Sequence, residues 1–225
     1  MSGIAPRLRF DGEPSRTLKI VADFLEDYYT VLEQHGALAP KAIKPLRDSH
    51  ALDVLHTLRD TSPPPDLLAY FRRVDGYDDA VCRELDVFEP AFAWGMFCLS
   101  LAECISNHEL CDEGDEDYWP SGFVPILWDG GGSYLAVNCR QFSPTWGGVY
   151  DMSEGVGCNR VSASLPDFFR ASAAEIEAGL RRYGRDTSEL AVGGREYLER
   201  AAPIFGQTQY FSRAGRMGDQ IVDWK

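Results

Sequence analysis

No stretch of this 225-residue chain approaches the roughly 20 consecutive apolar residues that cross a bilayer. The opening MSGIAPRLRFDGEPSR also lacks the apolar run of a secretory signal, so the expected location is the cytoplasm. Basic residues are scarce. Lys and Arg number 22 against 35 Asp and Glu, which leaves a net charge of −13. A field of that sign repels phosphate backbones and anionic headgroups, which argues against direct nucleic-acid or membrane binding. It attracts basic proteins and speeds encounter with them, although acidity also serves plain solubility. Internal repeats and low-complexity tracts are lacking too, and with 44% hydrophobic residues the chain can build a core.

Catalytic and cofactor motifs are equally scarce. The glycine run in WDGGGSYLAV (residues 128–137) has no Lys, which a phosphate-gripping Walker loop requires. The residues after the run are strand-like, so no helix N-terminus faces a pyrophosphate. Asp-Gly is a favoured turn pair and glycine adopts positive φ freely, so the run reads as a hairpin turn. There is no GxSxG elbow and no HExxH pair. The acidic loop CDEGDEDYWP has its glycine in the wrong place for an EF-hand. Cys98, Cys104, His108 and Cys111 have the residue types of a zinc site. Three of them share one helical face, but without paired CxxC spacing, and buried Cys often behaves as a small hydrophobe. No cofactor and no metal are expected. The six cysteines are read as reduced thiols.

What is present is a clear order of elements. Residues 15–36 form an amphipathic helix with Leu18, Val21, Leu25, Tyr28 and Leu32 on one face and Gly36 as its stop. A short helix over 49–59 precedes SPPPDLLAYFRRVDG, where proline is tolerated in the first turn and Leu67, Phe71 and Val74 form the buried stripe. ELDVF (84–88) and FAWGMFCL (92–99) read as strands. Ser100 with Glu103 makes a capping box for a helix over 101–110. FVPILWD, YLAVNC and GGVYDM then read as strands, with RVSAS as a further one. Ser164 and Asp167 open a helix that the pattern extends to Gly184, and REYLERAAPIF is helical up to Pro203. Helices first, antiparallel strands in the middle and a closing helix argue for an α+β fold, with a central antiparallel sheet flanked by helices. The expected division is an N-terminal helical extension (1–47), a main α+β domain (48–186) and a C-terminal extension (187–225).

At these residues the chain resembles a known family. PPPDLLAYFRRVDGYD, LSLAECI, WPSGFVPILWDGGGSYLAV, GGVYDM and SLPDFFRAS occur in the order seen in the SUKH superfamily, over about residues 48–186. That group contains fungal cell-wall-synthesis regulators and many bacterial immunity proteins. Ser133 and Asn138 depart from its pattern, where Asp or Asn and Asp respectively are common. The resemblance implies a non-catalytic binding protein, chiefly an immunity protein that neutralises a toxin domain, often a nuclease, in competition between bacteria. The alternatives are a regulator or scaffold binding a host protein, and, with less support, a metal protein or enzyme. Charge complementarity then nominates an acidic rim of Asp75, Asp78, Asp79, Asp112, Glu113, Asp115, Glu116 and Asp117, with Tyr77, Tyr118 and Trp119 as aromatic anchors. Trp119 has a second reading as core, because it leads into a strand.

Overall fold

The protein is described by a computed structural model covering residues 16–112, 119–153, 157–206 and 208–213. The first half contains α1 (Arg16–Gln34), α2 (Ala39–Ala42), a 3₁₀ turn (Ser49–His56), α3 (Pro65–Arg73), α4 (Asp79–Leu85), β1 (Phe97–Cys98) and α5 (Leu101–Asp112). The second half contains β2 (Phe123–Trp128), β3 (Tyr134–Asn138), β4 (Val149–Ser153), β5 (Gly157–Ser162) and α6 (Leu165–Glu177). It closes with β6 (Arg181–Tyr183), β7 (Ser188–Leu190), α7 (Gly194–Ala201) and α8 (Gln209–Arg213). No helix among the described residues is long and apolar enough to cross a membrane.

Strands β1 to β5 pair in sequence order as one antiparallel sheet, and β6 and β7 form a separate ribbon. The glycine run is the turn between β2 and β3. The Asp129 carboxylate accepts from the N–H groups of Gly131 (2.7 Å) and Ser133 (2.9 Å). Partial burial raises the pKa of this carboxyl, but those donors outweigh it and hold the group below its ordinary value. Gly130 and Gly132 take positive φ, of 83° and 108°. The glycines reverse the chain, as the sequence predicts.

One face of the sheet carries Val124, Ile126, Leu135, Val137, Val149 and Val161 into the main core, beneath a helical layer. In that layer α1 packs on α3 and α6. Tyr28 of α1, Tyr70 of α3 and Phe169 of α6 are fully or almost fully buried against one another, with ring centroids 5.2 and 5.9 Å from Phe169. The other face carries a smaller cluster of Trp119, Phe123, Ala136, Tyr150, Met152 and Cys158. The main cluster runs from Leu25 and Leu32 in the first stretch to Tyr197, Phe205 and Phe211 in the last, so both extensions contribute to one core. A buried ion pair fastens the C-terminal part. Arg181 Nε donates to Glu175 Oε1 (2.9 Å), and the Tyr197 hydroxyl donates to Oε2 (2.8 Å).

Three local expectations change. Helix α6 ends at Glu177, not near Gly184, because Gly179 adopts φ +68° and the Leu180 N–H returns to the Glu175 carbonyl. The residues after it become β6. ELDVF is not a strand: α4 runs to Leu85, and Asp86 caps it in the left-handed region. Of FAWGMFCL, only Phe97 and Cys98 join the sheet.

Candidate protein-binding cleft

Asp75 and Asp78 are first of all builders of helix ends. The Asp75 carboxylate accepts from the backbone N–H of Leu101 at 2.9 Å and so caps α5 from a distant segment. Asp78 caps α4, accepting from Ala80 and Val81. The capping box read from the sequence is present, with Glu103 Oε2 accepting from the Ser100 N–H at 2.8 Å and Ser100 Oγ accepting from the Glu103 N–H. Between these two caps lies Gly76, at φ +70°. A Cβ there would come within 3.0 Å of the Ser100 Cβ. Glycine therefore allows the turn after α3 to lie against the start of α5, and their junction opens as a cleft of about 430 Å³.

Tyr77, Cys82 and Val87 line its interior side. Tyr77 is buried, with its hydroxyl donating to the Pro90 carbonyl (2.7 Å) and accepting from the Cys98 N–H (3.0 Å). Asp79, Glu89 and Glu103 supply three carboxylates, against Lys44 and Arg83. Partial burial, followed by the charges of Glu103 and Asp79, raises the pKa of Glu89. Phe88 stands on the rim with 86% of its surface exposed. Its position follows from the left-handed Asp86, after which the Val87 N–H bonds back to the Cys82 carbonyl and the chain turns outward.

Of the residues nominated from the sequence, Asp75, Tyr77, Asp78 and Asp79 thus gather at one place. Asp79 is exposed at the cleft, Tyr77 forms part of its floor, and the other two shape it. Trp119 lies inside the smaller cluster, edge-on to Tyr134 at 5.0 Å. Asp112 ends α5. Glu113, Asp115, Glu116, Asp117 and Tyr118 fall outside the described residues. Phe88, Glu89 and Glu103 join the site without having been nominated from the sequence. The Asp-Asp pair opening a run of helix formers at 78–85 is a readable N-terminal signal for α4, but the outward turn of Phe88 has none. Cys98 and Cys104, considered for metal, are buried thiols whose pKa desolvation pushes far up, which opposes the thiolate a metal needs.

Residues 51–171, more than half of the chain, match the SMI1 / KNR4 family (SUKH-1). The chain belongs to this family. The match takes in the whole five-stranded sheet, α3 to α5 and the start of α6, and so contains most of the cleft. SUKH domains generally bind protein partners. Helices α1, α7 and α8 lie outside the matched residues yet pack into the same core. No curated protein matches the chain.

Proposed function

We propose that this SUKH protein acts by binding and not by catalysis, as an immunity protein that occludes a basic toxin domain. A toxin that acts on nucleic acid, with a cationic substrate groove, is the partner class its charge best fits. The observation that carries the reading is the juxtaposition of an almost fully exposed Phe88 with Asp79, Glu89 and Glu103 at one cleft. An apolar anchor beside three carboxylates, which outnumber Lys44 and Arg83 on the same lining, fits an Arg side chain with an apolar neighbour, and Arg is among the residues enriched at binding hot spots. The acidic segment 112–118 belongs to the proposal on the strength of sequence alone, whereas Trp119, buried in the smaller cluster, is core and not contact.

The test is protection. Cells co-expressing this chain with toxin domains encoded beside it are expected to survive at least one of them, and purified chain to bind that domain. Survival with none, together with no binding, overturns the reading. Acidification should weaken the complex, because protonating Glu89 removes a charge that a cation needs. The raised pKa places that loss at a higher pH than for an ordinary glutamate.

A further inference from the structure

A second cleft, of about 510 Å³, lies at the far edge of the sheet. One wall is β5 at Arg160 and Ser162, another is α6 at Arg170 and Ala174, and the third is the C-terminal segment at Phe205 and Gln209. Strand β5 ends the sheet order, so one side of its backbone has no neighbouring strand. An edge of this kind is a template for another extended backbone. Two side chains of the C-terminal segment stand in for one here. Val161 falls at a bulge and has no partner in the register with β4, and its carbonyl accepts from Thr208 Oγ1 at 2.9 Å. The Arg160 N–H donates to Gln209 Oε1 at 3.3 Å, longer than the usual range for such a bond.

Charge in this cleft runs against that of the chain. Its described lining carries two guanidinium groups, of Arg160 and Arg170, and one carboxylate, of Asp167, in a chain of net charge −13. Arg170 Nη1 donates to Asp167 Oδ1 at 2.6 Å, and its guanidinium lies 4.1 Å from the centre of the Phe24 ring, so it is positioned in advance of any ligand. The side chains of that pair are 55% and 49% exposed, and ion pairs so open contribute little. A guanidinium has five donors, which leaves Arg170 able to take a second carboxylate. We propose that this cleft is a second protein-binding site, for a short, extended, acidic segment of a partner protein. The segment lies along the edge of β5 with carboxylates on Arg160 and Arg170, and its backbone takes over the Arg160 N–H and Val161 carbonyl from Gln209 and Thr208. At about 3.3 Å per residue the stretch from Arg160 to Ala163 accepts three or four residues, so dissociation falls in the range of tens to hundreds of micromolar.

Fluorescence anisotropy with the full chain tests this. The probe is a labelled hexapeptide alternating Glu with Val, and its counterpart has Gln in place of each Glu. The expected result is saturable binding of the acidic probe, with the neutral one about tenfold weaker or more. Arg170→Glu is expected to weaken the acidic probe about tenfold with the melting temperature hardly moved, because Arg170 is exposed. Gln209→Ala is expected to tighten it about twofold to fivefold, since the Arg160 N–H is then open to the probe backbone, whereas charge attraction alone would leave this variant unchanged. Phe88→Ala, at the other cleft, should have no effect. No binding up to roughly 1 mM, equal binding of the neutral probe, or indifference to Arg170→Glu or to Gln209→Ala overturns the proposal. A synthetic peptide of residues 214–225 that displaces the acidic probe and binds more tightly assigns the cleft to the chain's own C-terminal segment, which overturns it equally. The ligand here is opposite in charge to the toxin proposed for the first cleft, so toxin protection can fail while this binding persists, and the two readings stand or fall separately.

Discussion

Phe88 and Phe142 are both almost bare to solvent, yet the charges around them differ. Phe88 follows the left-handed end of α4 and shares its cleft with Asp79, Glu89 and Glu103. Phe142 sits in a loop whose flanking residues carry no carboxylate and whose polar side chains are spent on holding the loop. An exposed ring alone says only that something apolar is presented. The charges beside it then differ: Asp79, Glu89 and Glu103 with Lys44 and Arg83 at the cleft, and Arg140 alone among residues 130–150 at the loop.

The largest expected effect separates interior acid from surface acid. Asp151 on β4 is 6% exposed, and burial raises its pKa from 3.8 to about 6, while a bond from Ser153 Oγ (2.7 Å) works the other way. Well below pH 3.8 both states hold the proton. As pH rises through 4 to 6 the unfolded chain ionises first, and the native state loses about 3 kcal/mol relative to it. Asp151→Asn keeps the acceptor for Ser153, so it should remove this pH dependence and raise stability at pH 7 by about 1–3 kcal/mol in urea titrations. Toxin binding should not change. If the variant is no more stable at pH 7 than at pH 4 relative to wild type, the interior acid does not play that part.

The cleft comes next. Phe88→Ala combined with Asp79→Lys is expected to cost about 2–3 kcal/mol of binding to a basic toxin domain, near a hundredfold in affinity by calorimetry, with the melting temperature hardly moved. An equal loss from Phe142→Ala would erase the contrast between the two faces. Asn138→Ala should cost about 1–2 kcal/mol of stability, because Ser143, Thr145 and the Arg140 N–H each lose a partner. Hydrogen exchange should then quicken within residues 140–148 and stay slow at the cleft. Smallest is Phe142→Gly, whose relief of strain at the positive φ of Phe142 (68°) and added chain entropy nearly cancel, within about 1 kcal/mol.

Much of this architecture is legible in the chain. The β-branched and aromatic runs gave β2 to β5, and Asp129 with its glycines marked the hairpin. Ser100 with Glu103, and Ser164 with Asp167, placed two helix starts that the structure confirms at hydrogen-bond distance. These signals act over a few residues, so a local reading finds them. Helix α4 was missed, its last residues being read as a strand, and the end of α6 was placed too late, because single residues in the left-handed region, Asp86 and Gly179, decide where these helices stop. The interior placement of Tyr77 was missed because its hydroxyl is satisfied by Pro90 and Cys98, which lie in other segments.

The sequence by itself determined the acidic balance, the α+β order of elements and the absence of a phosphate-binding glycine loop, all of which follow from composition and short-range stereochemistry. Only the tertiary structure decided which aspartates cap helices and which face solvent. It also decided that both extensions share the core, and that Phe88 and Phe142 stand outside it. The reason is that burial is a property of neighbours brought together by folding, and a residue's type sets its preference for the interior without settling whether room exists there.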